Sequence, residues 1–125
     1  MKMRNVLFYV LIYTLILAVS QILLKSGALE IGGLKIRGIK DIFFLAPQVL
    51  KNKAIMAGMI LMISSFFLWL FILSWSKLGL VFPLTALVYV FVAFMSYFIL
   101  GEKLATYNYL GIFLIITGVF FLLHR

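Results

Sequence analysis

Four long runs of apolar residues, broken only by short polar intervals, organise the chain. They lie at Asn5 to Leu24, Ala54 to Trp75, Val81 to Leu100 and Leu104 to Leu123. Each is close to the ~20 residues that a helix needs to cross ~30 Å of hydrocarbon. The runs are continuous and lack the in/out alternation of barrel strands, so helices are the assignment. A fifth pattern lies between the first two runs. From Ile39 the apolar residues Ile39, Ile42, Phe43, Ala46, Val49 and Leu50 recur at helical spacing, with Lys40, Asp41, Gln48 and Lys51 interleaved. That spacing predicts a short amphipathic helix lying in a membrane interface with its basic residues near lipid phosphates. A solvated linker that only dips into the headgroups is the plainer reading. The expected fold is an all-α membrane protein, a four-helix bundle with one interfacial helix between helices 1 and 2.

Composition narrows this further. At 66% hydrophobic and 11% charged, the 125 residues leave no room for a separate soluble domain, so one domain is expected. The basic start, Met1 to Asn5, and the small residues Ala18-Val19-Ser20 imitate a secretory signal. The apolar run continues past Ser20 to Leu24, which favours a retained first helix. There is no cysteine, and the single histidine, His124, reads as a terminal surface residue. No phosphate loop, nucleophile–base pair or metal-ligand cluster appears, so neither an enzyme nor a cofactor is expected.

The net charge of +8 is read as a membrane signature, with no nucleic-acid partner, because the cations sit at the ends of the spans. Lys2, Arg4, Lys77 and Arg125 fall on one side; Lys25, Lys35, Arg37, Lys40, Lys51, Lys53 and Lys103 fall on the other. The positive-inside tendency puts the second group in the cytoplasm, while Lys2 and Arg4 pull the opposite way. So divided a bias suits insertion in both orientations, or pairing with an oppositely oriented partner. In the long connection, Gly27, Gly32-Gly33 and Gly38 read as turns. The later connections are only a few residues long, so helices two, three and four are antiparallel neighbours.

Polar residues inside apolar spans are costly and need a reason. At about 100° per residue, Tyr9, Tyr13, Thr14, Ser20, Gln21 and Lys25 share one half of the first helix, within roughly 160° of one another. The other half carries Leu11, Ile12, Leu15, Val19, Ile22 and Leu23 and is expected to face lipid. Gln21 is either a helix-to-helix hydrogen-bonding group or a substrate contact. Lys25 either binds a phosphate or carboxylate at a cavity mouth or snorkels to the interface. Ser64, Ser65 and Trp69 lie mid-span in helix two; serines there commonly let backbones approach, and Trp69 is expected to line a cavity. Trp75, Tyr107 and Tyr109 fit an aromatic belt. In helix three, Pro83 is expected in the first turn, where its missing N–H costs little, and Thr85 and Tyr89 lie one turn apart.

The run Leu73-Ser74-Trp75-Ser76-Lys77-Leu78-Gly79-Leu80-Val81-Phe82-Pro83-Leu84-Thr85-Ala86-Leu87, followed by Gly101-Glu102-Lys103-Leu104 and Tyr109-Leu110-Gly111, resembles the EamA-type half of the drug/metabolite transporter superfamily. Gly111-x-x-Leu114-Ile115-x-x-Gly118-Val119 is similar to the dimer-forming pattern of its small multidrug resistance branch. The two glycines are two turns apart and flatten one face for another helix. The resemblance implies a transporter in a bacterial or archaeal cytoplasmic membrane, working as a homodimer or with a paralogous subunit through Gly111 and Gly118. The exporters of that branch carry a glutamate in the first helix; aligned on Lys25, its place is taken by Leu17. The acidic residues here are Glu30, Asp41 and Glu102, all in loops or at helix ends, so the usual proton-coupled drug export is disfavoured.

Gln21-x-x-x-Lys25 is similar instead to the first helix of the small subunits that flip aminoarabinose-phosphoundecaprenol. A lipid-linked sugar needs a polar groove for its head and a lipid-open flank for its tail. Under this reading Tyr9, Tyr13, Gln21, Ser64 and Trp69, with Thr85 and Tyr89, contact the sugar, and Lys25 meets the phosphate. The alternatives are a small-solute or multidrug exporter coupled through Glu102 or through no carboxylate, and an accessory membrane subunit that transports nothing alone. Membrane lipids are partners in every case.

Overall fold

The computed structural model describes residues 2–124; Met1 and Arg125 lie outside the described residues, and so does the charge assigned above to Arg125. The described chain is helical, with no strand. Its elements are α1 (Met3–Glu30), α2 (Ile39–Lys51), α3 (Lys53–Trp75), α4 (Leu78–Leu84), α5 (Leu87–Met95), a π-helical turn (Ser96–Leu100) and α6 (Thr106–Leu123). Four units are long and apolar enough to cross a membrane: α1, α3, the composite Leu78–Leu100, and α6. The amphipathic segment is a helix from Ile39, as its periodicity predicts.

The first helix is longer than its apolar run. It continues through Lys25 and Gly27 to Glu30 and ends at Gly32 and Gly33, both at positive φ. The N–H groups of Ile31, Gly32 and Gly33 donate back to the carbonyls of Gly27, Leu29 and Ala28, which closes the last turn. Gly27 is therefore a helical residue, not a turn. It lies where α1 and α3 touch, and so does Gly58: a Cβ on Gly58 would come within 3.0 Å of the Ser20 carbonyl oxygen. Two glycines facing across the pair let the backbones approach.

α1 is the central helix, packed on α3 along most of its length and on α5 and α4 on its other side. Five of its buried residues, Val6, Val10, Thr14, Ala18 and Ile22, step by four, with Ser20 and Gly27 buried beside them. A four-residue step advances by about 40° per repeat, so this stripe winds around the helix. That corrects the expectation for Ile22: it is buried at the packing seam, away from the outer face. Leu15 and Val19 remain exposed as expected.

The apolar core is concentrated at one end. Val6 and Val10 of α1, Ile72 of α3, Val81 and Leu84 of α4 and Val119 of α6 form one cluster, with Tyr9, Tyr13 and Trp69 packed against it. This is the end at which α1 and α4 begin and α3 and α6 finish, as short antiparallel connections require.

The third span is broken into pieces. Because α4 starts at Leu78, Pro83 is its sixth residue and lies past the first turn. There its missing N–H withdraws a helical hydrogen bond, and the chain tightens into i→i−3 bonds (Ala86 to Pro83, Val88 to Thr85, Tyr89 to Ala86) across the junction with α5, which begins at Leu87. α6 is peripheral, packed on α4 and α5, and among the described residues Val119 is the one residue of it that is buried. So much uncovered apolar surface is compatible with a membrane protein and incompatible with a lone water-soluble bundle.

Candidate functional site

Polar groups inside the bundle satisfy their own helices first. The hydroxyls of Thr14, Ser20, Ser64, Ser65, Thr85 and Thr117 donate to carbonyls three or four residues earlier: Leu11, Leu17, Ile60, Met62, Phe82 and Phe113. Back-bonding of this kind removes the donor from competition for a neighbour or a ligand and leaves the oxygen lone pairs. The side-chain bonds that join different helices lie at the end opposite the apolar core.

The first is made by Asn52, the one residue between α2 and α3. Its Oδ1 caps α3 by accepting from the Ile55 N–H at 3.0 Å, while its Nδ2 donates to Glu30 Oε2 at 2.9 Å and reaches the Gly27 carbonyl at 3.5 Å. One amide thus ties the end of α1 to the start of α3. The second is built on the π turn. Gly101, at φ 69°, reverses the chain so that its own N–H and that of Glu102 donate to the Ser96 carbonyl. This left-handed conformation favours glycine and folds the Glu102 carboxylate back onto its own helix. There the Ser96 hydroxyl donates to Glu102 Oε2, and Lys25 Nζ of α1 lies 3.7 Å from Oε1. Ser96 is buried; Lys25 and Glu102 are 52% and 45% exposed. Gln21, one turn before Lys25 on the same side of α1, is exposed and forms no interhelical hydrogen bond among the described residues. Lys25, Gln21 and Glu102 therefore make an open polar step on the flank of the bundle, with the buried Ser96 behind the Glu102 carboxylate and Lys25 beside it.

The structure divides the candidate residues into two groups. Tyr13 stacks on Trp69 with ring centroids 5.2 Å apart, Trp69 meets Phe82 edge-on at 6.1 Å, and Tyr9 meets Phe71 at 5.3 Å. This aromatic group sits against the apolar core. Gln21, Lys25 and Glu102 lie toward the other end, with Tyr13 and Lys25 about 18 Å apart along the helix. Ser64 is exposed on α3, Thr85 half-buried at the break in span three, and Tyr89 exposed on α5; none of these joins either group.

Of the two glycines on α6, Gly118 lines a shallow groove of about 360 Å³ with Pro83, Ala86, Ile115, Val119 and Leu122. A Cβ placed on Gly111 or Gly118 would meet nothing within 4 Å. Another groove, about 230 Å³, runs between α5, the π turn and α6 and is lined by Phe94, Tyr97, Phe98 and Tyr109 among others. Neither groove includes the polar step.

Two contributors lie outside the sequence reading. Asn52 carries a local signal, an amide just before a long apolar run, which is the N-cap signature. Ser96 has none, because its pairing with Glu102 exists only once the π turn and the left-handed glycine are formed. All three side-chain carboxylates are engaged: Asp41 accepts from the Arg37 N–H at 2.7 Å, Glu30 accepts from Asn52, and Glu102 accepts from Ser96 and is ion-paired with Lys25 at 3.7 Å. Among the described residues no cluster could hold a metal ion. Comparison with family models, with curated proteins and with solved structures finds no match to this chain.

Proposed function

We propose that this chain is a small integral-membrane transporter of the drug/metabolite transporter type, and that it flips a polyprenyl-phosphate-linked amino sugar across the cytoplasmic membrane as a dimer. The observation that carries the reading is the open polar step. Lys25 lies about 33 Å along α1 from Met3, close to where a ~30 Å hydrocarbon layer ends. Its ammonium is oriented by Glu102 yet half-exposed, with the Gln21 amide one turn deeper on the bundle's outer flank. A substrate whose phosphate is met there leaves its polyprenyl tail in lipid and needs no enclosed cavity within one chain.

Two further features support the reading. Both oxygens of Glu102 are in use, which favours positioning of Lys25 over proton exchange. The interruption at Thr85 and Ala86 falls within a span, and broken helices in transporters are where substrate groups are handled. The uncovered α6, with Gly111 and Gly118, supplies a surface for a second copy or a paralogue.

The test is a flip assay in proteoliposomes, following a polyprenyl-phosphate amino sugar with an amine-reactive probe that cannot cross the membrane. Protein-dependent labelling of the inner-leaflet pool is expected, with Gln21→Leu and Lys25→Ala each reducing the rate at least ten-fold. No exposure by protein reconstituted in both orientations refutes the flippase reading for this chain alone. Full transport by both variants makes the polar step structural.

A further inference from the structure

The connector between α1 and α3 shares no residue with the polar step. Residues 33–36 run without regular structure, and Leu34 and Ile36 lie against Ile42, Leu45, Ala46, Val49 and Leu50 of α2 around a shallow apolar groove of about 300 Å³. Lys35 and Arg37 alternate with Leu34 and Ile36 along the loop, are exposed, and are not among the residues that line the groove. On α2, Lys40 and Lys51 fall on the side opposite Ile42, Leu45 and Val49. Loop and helix together form a raft with an apolar groove on one side, while Lys40 and Lys51, with the exposed Phe44 beside them, lie on the other side of α2. Within 31–53 the raft carries five cations, Lys35, Arg37, Lys40, Lys51 and Lys53, against one carboxylate, Asp41, which is bonded to the Arg37 N–H.

Its position is fixed as well. Only Asn52 separates α2 from α3, and Asn52 is bonded to Glu30 and Gly27, so α2 must leave the bundle at the level where α1 ends. No residue of α2 is buried, and Ile39 and Phe43 are about three-quarters exposed.

We propose that this raft is a binding site for an anionic diacyl phospholipid: one acyl chain lies in the groove between residues 34–36 and α2, and the phosphate is met by Lys35, Arg37 and Lys40. Charge complementarity selects the occupant. A zwitterionic lipid fills the groove equally well but gains nothing net from the cations. The site goes beyond the transport reading and does not depend on it.

The experiment uses the full chain in phosphatidylcholine vesicles with a trace of spin-labelled phosphatidylglycerol or spin-labelled phosphatidylcholine, reading the motionally restricted lipid per protein. The expected result is a phosphatidylglycerol excess on the order of five-fold at low salt, shrinking as salt screens the cations. The triple variant Lys35→Gln/Arg37→Gln/Lys40→Gln should bring the excess close to one, while Lys2→Gln/Arg4→Gln/Lys77→Gln at the other end should leave most of it. Ala46→Phe, which fills the groove without changing charge, should lower it as far as the triple variant does. All these positions except Ala46 carry exposed charges, Ala46 is itself exposed, and far-UV circular dichroism checks that each variant keeps its helices. An excess that survives the triple variant overturns the proposal. So does one lost in the triple variant but untouched by Ala46→Phe, since that is diffuse surface attraction with no seated chain. Displacement of the label by a polyprenyl phosphate but not by unlabelled phosphatidylglycerol would assign the groove to a different lipid and equally overturn it. No transport is read, so the outcome is independent of the flip assay.

Discussion

Gly27→Ala adds one methyl group where α1 meets the start of α3. That Cβ would stand 2.6 Å from Asn52 Oδ1 and 2.9 Å from the Ile55 backbone nitrogen, with the Ile55 Cγ1 closer still. Carbon contacts settle at ~3.5–4.0 Å, so the first turn of α3 must retreat by roughly 1 Å. Overpacking of this kind costs about 1–3 kcal/mol. The retreat also strains the Asn52 cap, worth about 1 kcal/mol, and the exposed Asn52–Glu30 bond, worth about 1 kcal/mol. Against these stands the gain of about 1 kcal/mol from replacing glycine inside a helix. The net expectation is a loss of about 2–4 kcal/mol, measured as the shift in equilibrium unfolding when micelles of mild detergent are titrated with dodecyl sulfate. Gly79→Ala in α4 is the control, because nothing lies within 4 Å of its added carbon, and only the propensity gain of up to about 1 kcal/mol should appear. Ile55→Ala should recover part of the Gly27→Ala loss in a double-mutant cycle, but not all, since the backbone nitrogen stays. If Gly27→Ala is as stable as the unmodified chain or more so, α1 and α3 do not approach as closely as described.

Three other expectations concern separate parts of the molecule. Ser76 Oγ is buried without a hydrogen-bond partner among the described residues, so Ser76→Ala should stabilise the fold by about 1 kcal/mol in the same titration. Glu102→Gln should change stability by less than about 1 kcal/mol, because the pair with Lys25 is half-exposed, yet should lower the flip rate through loss of the charge that orients the lysine. Gly111→Leu should abolish the crosslinked oligomer; if the oligomer stays intact, α6 is not the seam.

The spans were legible because hydrocarbon imposes a coarse rule, a run of about 20 apolar residues per helix, that needs no partner to apply. The periodicity of α2 was equally visible, since it is a property of thirteen consecutive residues. Glycines were less transparent. Gly32 and Gly33 do turn the chain, but Gly27, six residues from Gly33, is helical, because what it answers to is Ile55 and Asn52 from another helix. Pro83 shows the same dependence: its consequence changed from benign to helix-breaking when the start of α4 moved to Leu78. The polar residues of α1 do not form one surface. Thr14 and Ser20 are buried against neighbours, whereas Gln21 and Lys25 stay open, since the packed stripe winds around the helix.

The sequence by itself determined an all-helical chain with four helices of membrane-crossing length, the amphipathic connector and the absence of a carboxylate from the interior of any span. Each is a local property, set by apolarity and period. Only the tertiary structure decided that Lys25 of α1 meets Glu102 beyond the third span, that Ser96 and Asn52 hold that end together, and that Tyr9, Tyr13 and Trp69 gather at the opposite end. Those pairings depend on where a π turn and a left-handed glycine redirect the chain, and on which of two helix faces a neighbour covers. Neither is written in the spacing of residues along one helix.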